Sequence, residues 1–150
     1  MTLFQLVVNR PSVQAVIYDR DNEKFLIIGK RHFKTGNIIW RLVKGGIEQG
    51  ETETEALKRE ILEEVGLKKN TIGEKVHYYE YFYEYEQIKM KNMVSSYFVK
   101  ADISEKVLLQ GESADEMPIV DYAWLSYYET LKKLFWKNEK QSVKNSVMYL

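Results

Sequence analysis

The sequence of 150 residues predicts one α/β or α+β domain, residues 1–150, in which helices cover a mixed β-sheet. Two observations support this prediction. Runs of β-branched and aromatic residues precede a single well-marked amphipathic helix, and further strand-like runs lead into a helical C-terminal stretch. A chain of this length buries roughly 70% of the surface that its unfolded form exposes, so it forms a core without covalent cross-links.

Strand-forming residues predict four strands before the first helix. These are residues 3–8, 13–18, 24–30 and 38–43. Residues 10–12, which include a proline, are expected to separate the first two strands. The turn cluster at residues 19–22 predicts a hairpin between the second and third strands. Weak alternation in the third strand indicates that both of its faces are buried.

A glycine-rich segment, residues 44–51, leads into the predicted helix. Thr52 and Glu55 have the spacing of a capping box, in which each side chain accepts from the other residue's backbone N–H. Gly66 marks the end of the helix. At 3.6 residues per turn one helix face is apolar and is expected to pack on the sheet. Its members are Leu57, Ile61, Leu62 and Val65.

The second half of the sequence predicts three more strands and a terminal helix. Residues 78–85 and 94–100 are expected to pair across a polar turn at 87–92, and residues 120–125 form the last strand. Apolar residues recur at helical spacing from 128 to 150, with an interruption predicted near Asn138.

The composition excludes several classes of protein. Lys and Arg number 22, as do Asp and Glu, which argues against binding of duplex nucleic acid by bulk positive charge. Apolar runs fall far short of the roughly 20 residues that cross a membrane, and no basic leader begins the sequence. The absence of cysteine excludes disulfides, thiolate metal sites and a cysteine nucleophile. We expect a cytoplasmic protein without membrane partners; the oligomeric state stays open.

Four carboxylates share one face of the predicted helix, beside its apolar face. They belong to Glu53, Glu60, Glu63 and Glu64. Like charges at this spacing cost stability unless a cation lies between them. Seven Glu in residues 48–64 face only one Lys and one Arg, a local charge of −5. Oxygen-only clusters of this kind suit Mg²⁺ or Mn²⁺. The alternative is an ordinary solvated acidic stripe.

The same residues resemble a family motif. Gly45, five residues, Glu51, seven residues and then the run 59–67, Arg-Glu-Ile-Leu-Glu-Glu-Val-Gly-Leu, resemble the Nudix box with every fixed position filled. The resemblance to these MutT-like hydrolases implies an α/β/α sandwich with a catalytic loop–helix–loop and a C-terminal helix. It also implies metal-assisted attack of water on a nucleoside diphosphate linked to another moiety.

The resemblance assigns roles to residues of the box. Glu60 and Glu64 would be the principal metal ligands, and Glu63 an additional ligand or base. Arg59 would orient the carboxylates and Glu51 would fix the loop, while Gly66 is structural. The carbonyl of Lys44 or Gly45 could supply a further oxygen.

In this family a general base often comes from a loop outside the box. Glu116 is the candidate here, with Glu112 and Asp115 as neighbours in the same acidic segment. The alternative is that this segment is an ordinary exposed loop. A carboxylate is nevertheless the side chain that this chemistry needs as a base.

The segment before the box indicates the substrate. Trp-Arg-Leu-Val-Lys-Gly at residues 40–45 resembles the Trp-x-x-Pro-Lys-Gly pattern of dinucleoside tetraphosphate (Ap4A) hydrolases and mRNA-decapping relatives, with Val43 replacing proline. Lys44 is a candidate phosphate ligand. Lys30, Arg31 and Lys34 could also meet phosphates, or they could simply be solvated residues of a loop.

Tyrosines at alternate positions from 79 to 85 share one strand face, and Tyr83 or Tyr85 could stack on a base. The alternative is that these rings only pack.

The expected substrate is a small nucleotide, a dinucleoside polyphosphate such as diadenosine tetraphosphate. Nucleoside triphosphates, ADP-ribose and the capped 5′ end of RNA, which is not favoured, are alternatives within the same reaction class. A Nudix-fold binding module without catalysis is the alternative of another class. Such modules commonly lose carboxylates of the box, whereas this sequence keeps them all.

Overall fold

The computed structural model describes residues 6–109 and 117–150. The first half contains β1 (Val7–Asp19), β2 (Lys24–Arg31), β3 (Ile38–Arg41), β4 (Val43–Gly46) and α1 (Glu53–Val65). The second half contains β5 (Asn70–Tyr85), β6 (Ile88–Ala101), β7 (Ile119–Leu125), α2 (Tyr127–Lys133), α3 (Lys137–Asn145) and a final 3₁₀ turn, Ser146–Tyr149. The predicted combination of a sheet with flanking helices is confirmed.

The seven strands form one mixed sheet. Its main order is β3-β2-β1-β6-β5, while β4 pairs with β1 and β7 pairs with β2. β1 and β6 run parallel, whereas the other pairs are antiparallel. β2 is buried from Phe25 to Lys30, as its weak alternation predicts. The centre of the sheet is therefore covered on both faces.

Helices cover the two faces of the sheet. One face packs on α1, and the core there includes Val13, Ile17, Leu57, Ile61 and Val65. The opposite face lies under α2 and α3, with a core that includes Val16, Tyr18, Phe98, Leu134 and Val143. Because alternate residues of β1 enter different cores, the arrangement is the expected α/β/α sandwich.

The strand predicted at residues 38–43 divides into β3 and β4, and β5 begins at Asn70 rather than at residue 78. Three further predicted boundaries are wrong. The first concerns residues 10–12, which lie inside one continuous strand rather than between two. Pro11 is just beyond the pairing of β1 with β4, and its carbonyl accepts a hydrogen bond from Ile47 N at 3.0 Å. The missing N–H of proline therefore leaves the ladder intact. Residues 3–5 of the predicted first strand lie outside the described residues.

The second concerns residues 87–92, of which all but the first belong to β6. The turn is only Glu86 and Gln87, whose φ angles are 49° and 67°. Two successive positive φ angles are typical of the tight hairpin turn that matches the twist of paired strands. The polar residues that follow belong to a paired strand, because residues 88–92 pair with residues 81–85 of β5 and Asn92 is buried.

The third concerns the C-terminal stretch, which breaks at residues 134–136 rather than near Asn138. Leu134 is buried, and Phe135 N donates to the Trp40 carbonyl at 3.2 Å, so this segment docks on β3.

The predicted apolar face of α1 also needs correction, because Leu62 is 45% exposed. Leu62 lies about 60° around the helix axis from the buried Val65, at the edge of the face that packs on the sheet.

No helix in the described part of the chain is long and apolar enough to cross a membrane.

Gly66 ends α1 in the left-handed conformation, with φ 70°, and a Cβ there would lie 2.8 Å from Leu108 Cβ. We expect Gly66→Ala to lower the free energy of unfolding by about 1–2 kcal/mol from backbone strain alone, with the Leu108 contact adding to this. Urea denaturation measures the change. Gly36→Ala is the matched control, because Gly36 has φ 74° but nothing within 4 Å of its Cβ position. Equal losses in both variants would contradict a role for the contact.

Candidate active site

The loop and helix of the box are built by local capping. Glu55 N donates to Thr52 Oγ1 at 3.1 Å, and Thr52 N donates to Glu55 Oε1 at 3.3 Å. This is the predicted capping box, and Gly66 caps the other end of α1. α1 therefore begins and ends at fixed points, which sets the rotation of its acidic residues relative to the sheet.

Arg59 is the centre of the polar network on this helix. Its Nε and Nη2 donate to the two carboxylate oxygens of Glu51 at 2.7 and 2.8 Å. Nη2 also donates to the Gly46 carbonyl at 2.9 Å, and Nη1 donates to Glu60 at 2.8 Å and to Glu63 at 3.3 Å. One guanidinium thus joins the loop, β4 and the acidic face of α1.

Glu51 fixes the loop through both of its oxygens. Besides binding Arg59, its Oε1 accepts from Glu48 N at 2.8 Å. The hydrogen bonds from Arg59 lower the pKa of Glu51 to about 2, and those same bonds raise the pKa of Arg59. The pair is therefore ionised throughout the physiological pH range.

The Glu60 carboxylate lies directly against Gly45. A Cβ on Gly45 would fall 1.9 Å from Glu60 Cδ, so the glycine leaves a cradle that any other residue would fill. Glu64, one turn further along α1, is only 7% exposed, whereas Glu63 is exposed. The side chains of Glu60 and Glu64 and the Gly45 carbonyl provide oxygen donors alone, which suits a hard divalent cation.

These donors do not form a closed cage. In residues 6–109 and 117–150, no three Asp, Glu or His side chains converge as a ready metal site. Mg²⁺ is characteristically held by one or two carboxylates, with water and substrate phosphates completing its shell. The residues present fit that open mode of binding. Glu116, the predicted base, lies outside the described residues, as do Glu112 and Asp115.

Glu53 does not join the other carboxylates of the predicted acidic face. It accepts hydrogen bonds from Tyr97 Oη and from Ser95 Oγ, and it pairs with Lys75 at 3.2 Å. The sheet therefore occupies this carboxylate, because Glu53 lies in the first turn of α1, where β5 and β6 are within reach.

A cationic cavity of about 310 Å³ is lined by residues of the sheet. Its charged lining residues are Arg10, Lys30, Arg41 and Lys44. Gly45 also lines it, so one residue of main chain separates the cavity from the Glu60 carboxylate. Residues of six strands, β1 to β6, supply its walls.

Lys44 enters this cavity as predicted, but Arg31 does not. Lys44 Nζ donates to Tyr81 Oη at 2.6 Å, and burial, together with the nearby Arg41 charge, lowers the pKa of Lys44 to about 7. Arg31 instead donates to the Gly36 carbonyl at 3.1 Å. Lys30, which we predicted as a phosphate contact together with Arg31, does line the cavity, since neighbouring strand residues point to opposite faces.

A second, aromatic cavity of about 340 Å³ adjoins the first. Tyr79, Tyr81 and Tyr83 line it from β5, and Trp136 lines it from the start of α3. The predicted shared face is present, with ring centroids 6.1 Å apart for Tyr79 and Tyr81 and 5.9 Å apart for Tyr81 and Tyr83. Tyr83 borders both cavities, whereas Tyr85 lies further along the hairpin, where it is exposed.

Sequence reasoning missed several residues of the two cavities. Among them are Arg10, Ser12, Asn92 and Glu139. One signal was available, because polar residues occupy alternate positions 10, 12 and 14 of β1, within an otherwise apolar strand. Such alternation indicates one polar stripe on a sheet face. Glu139 had no such signal.

The chain belongs to the NUDIX domain family, whose model matches residues 8–145. An RNA pyrophosphohydrolase of Aeromonas hydrophila is 41% identical over 59 residues, which cover 39% of this chain and 31% of that relative. The chain thus spans about a third of the length of this curated relative.

Solved structures show the same fold. An Ap4A hydrolase of C. elegans, in a binary complex, aligns with a TM-score of 0.71 and 20% identity over 93% of this chain and 96% of that chain. The E. coli dihydroneopterin triphosphate pyrophosphohydrolase aligns with a TM-score of 0.74 and 19% identity over 95% and 99%. At this identity the likeness establishes the architecture and not the substrate.

The Arg59–Glu51 pair predicts how stability depends on pH. The pKa of Glu51 falls from 4.5 to about 2 on folding, so its ionised form stabilises the fold above pH 4.5 and this contribution is lost as the pH falls toward 2. In Glu51→Gln the free energy of unfolding should decline less steeply over that range, as measured by urea titrations at successive pH values. Glu74→Gln, at an exposed position of β5, is the control. A slope equal to that of the wild type in Glu51→Gln would refute the assignment.

Proposed function

We propose that the chain is a divalent-metal-dependent pyrophosphohydrolase of nucleotides, with a dinucleoside polyphosphate such as diadenosine tetraphosphate as substrate. One observation carries the proposal. Carboxylates held by Arg59 lie on one side of Gly45, and a cationic cavity lies on the other. Metal-held phosphates and further phosphates of the same substrate could therefore bind side by side.

The chain's own residues divide the chemistry between them. Glu60 and Glu64 would hold the cation, which supplies charge to neutralise phosphate oxygens and to activate water. Arg59 keeps Glu60 in place, so the carboxylate does not need to reorganise during the reaction. Metal and phosphate positions are thereby set before the substrate arrives.

The reaction forms one bond and breaks another. The oxygen of water bonds to phosphorus while its proton passes to a carboxylate, for which Glu116 or Glu63 is the candidate. The bridging P–O bond breaks, and the leaving nucleotide keeps the electron pair as a phosphate oxyanion. Lys44 and Arg10, which line the cationic cavity, are suited to stabilise that charge.

The aromatic cavity supports a nucleotide rather than a bare polyphosphate. Tyr83 borders both cavities, so a base stacked beside it would have its phosphates directed toward Lys44. A second candidate substrate is the 5′ triphosphate end of RNA, since an RNA pyrophosphohydrolase is among the relatives.

Product identification in a substrate panel with Mg²⁺ or Mn²⁺ tests the proposal. Diadenosine tetraphosphate should give ATP and AMP, whereas a nucleoside triphosphate cleaved between its α and β phosphates gives pyrophosphate. ADP-ribose gives AMP and ribose 5-phosphate, and triphosphate-ended RNA releases pyrophosphate or phosphate. Preference for a nucleoside triphosphate, ADP-ribose or triphosphate-ended RNA would replace the substrate assignment. No turnover of any of the four substrates would favour a binding module.

Glu64→Gln should reduce metal-dependent turnover by at least about 100-fold while the protein stays folded. The substitution keeps the shape of the side chain but removes the charge that would hold the cation. Steady-state kinetics and circular dichroism provide the measurements, with Glu74→Gln as the charge-matched control. Activity like that of the wild type in Glu64→Gln would exclude the metal assignment.

Tyr83→Ala should raise KM for an adenine-containing substrate by about tenfold, because stacking on a base contributes roughly 1–3 kcal/mol. The kcat should change little, since Tyr83 lies on β5 and is not one of the carboxylates of α1 that would hold the cation. Tyr85→Ala is the matched control, as Tyr85 lies beyond the cavities. If both variants behave alike, the base does not stack at Tyr83.

A further inference from the structure

Arg41 stands at the junction of the two cavities. This residue, the last of β3, lines both the cationic cavity and the aromatic cavity. Its side chain is 19% exposed, and its Nε has no hydrogen-bond partner. Among the described residues its ion-pair partner is Glu139, with Oε2 at 3.5 Å from Arg41 Nε. The contact involves one edge of the guanidinium, which leaves the other donors of the fork to the cavities.

Glu139 is held in place independently of Arg41. It belongs to α3, is 1% exposed, and accepts a hydrogen bond from Leu42 N at 2.6 Å through Oε1. Burial raises the pKa of Glu139, and the positive charge of Arg41 acts against that rise. A carboxylate at this depth costs stability unless it is paired. The charge of Arg41 therefore offsets part of the cost of burying this carboxylate, while the hydrogen bond from Leu42 N fixes where it lies.

The geometry differs from that of an ion pair formed only for stability. A structural Arg–carboxylate pair characteristically closes with two parallel hydrogen bonds, as Arg59 and Glu51 do in this protein. Arg41 and Glu139 instead meet at one edge and at a longer distance. In this pair Glu139 supports the guanidinium of Arg41, which lines both cavities.

We propose that Arg41 binds the phosphate attached to the nucleoside whose base occupies the aromatic cavity, and that Glu139 is the positioning residue for Arg41. The ligand is an anion because a guanidinium recognises phosphate through its planar fork. It is the phosphate of a nucleotide because aromatic rings lie on one side of Arg41 and cations on the other. This inference rests on the proposed function only in taking the ligand to be a nucleotide.

Binding without catalysis tests the inference. Calorimetry with AMP and with adenosine, in EDTA, separates recognition of the phosphate from recognition of the base. The variant is Arg41→Gln with Glu139→Gln, because removal of Arg41 alone would leave a buried carboxylate unpaired and could unfold the protein. AMP should bind about 10- to 100-fold more weakly, as expected for a lost hydrogen bond to a charged group, while adenosine binding stays unchanged.

Lys132→Gln with Glu74→Gln is the charge-matched control, since both residues are exposed and line neither cavity. An unchanged preference for AMP over adenosine in the double variant would overturn the role of Arg41. Equal weakening of both ligands would also overturn it, because that result indicates a purely structural pair.

Glu139→Gln, measured alone, tests the positioning role. The amide still accepts from Leu42 N, but it no longer holds the guanidinium by charge. AMP binding should weaken severalfold, and in an Arg41→Lys background, where no planar fork remains to be oriented, the same change should add little. Tighter AMP binding in Glu139→Gln, or equal losses in both backgrounds, would show that Glu139 does not position Arg41.

The experiments separate this inference from the proposed function. If AMP binds as expected but no substrate of the panel is hydrolysed, the proposed function fails and the inference stands. If diadenosine tetraphosphate is hydrolysed to ATP and AMP but the double variant keeps its preference for AMP, the inference alone fails.

Discussion

The guanidinium of Arg59 is the interaction on which the site depends. It joins Glu51 of the loop, the Gly46 carbonyl of β4 and Glu60 of α1. Several carboxylates on one helix face would otherwise repel one another and move apart. Because Arg59 takes up part of that negative charge and is tied to the sheet, the remaining carboxylates stay close to Gly45. A compact acidic site is stable here because one cation belongs permanently to it.

β4 connects the acidic site of α1 with the cationic cavity. Its successive residues point to opposite faces, so Gly45 meets Glu60 on the α1 side while Lys44 points into the cationic cavity. The two chemical environments are thus one residue apart along the chain. Glycine at 45 is required by the approach of Glu60, and not by its backbone conformation.

The sequence predicted the carboxylate site far better than the cavities, for a physical reason. The box is contiguous, so capping, helical spacing and the positions of Glu51 and Arg59 follow from local rules. The cavities are assembled by pairing of distant segments, as Leu42 and Glu139 illustrate at a separation of 97 residues. Local patterns also failed at the β5–β6 turn and at Arg31, where strand register decides which face a side chain occupies.

The neutral composition conceals a separation of charge that the fold creates. Acidic residues collect on α1, and basic residues from four different strands line one cavity. Glu139 is the exception, because it brings a negative charge under the basic cavity at the expense of desolvation. A fold selected for stability alone would place an apolar side chain there. Retaining the carboxylate is understandable if the orientation of Arg41 matters more to this protein than the stability that an apolar residue would add.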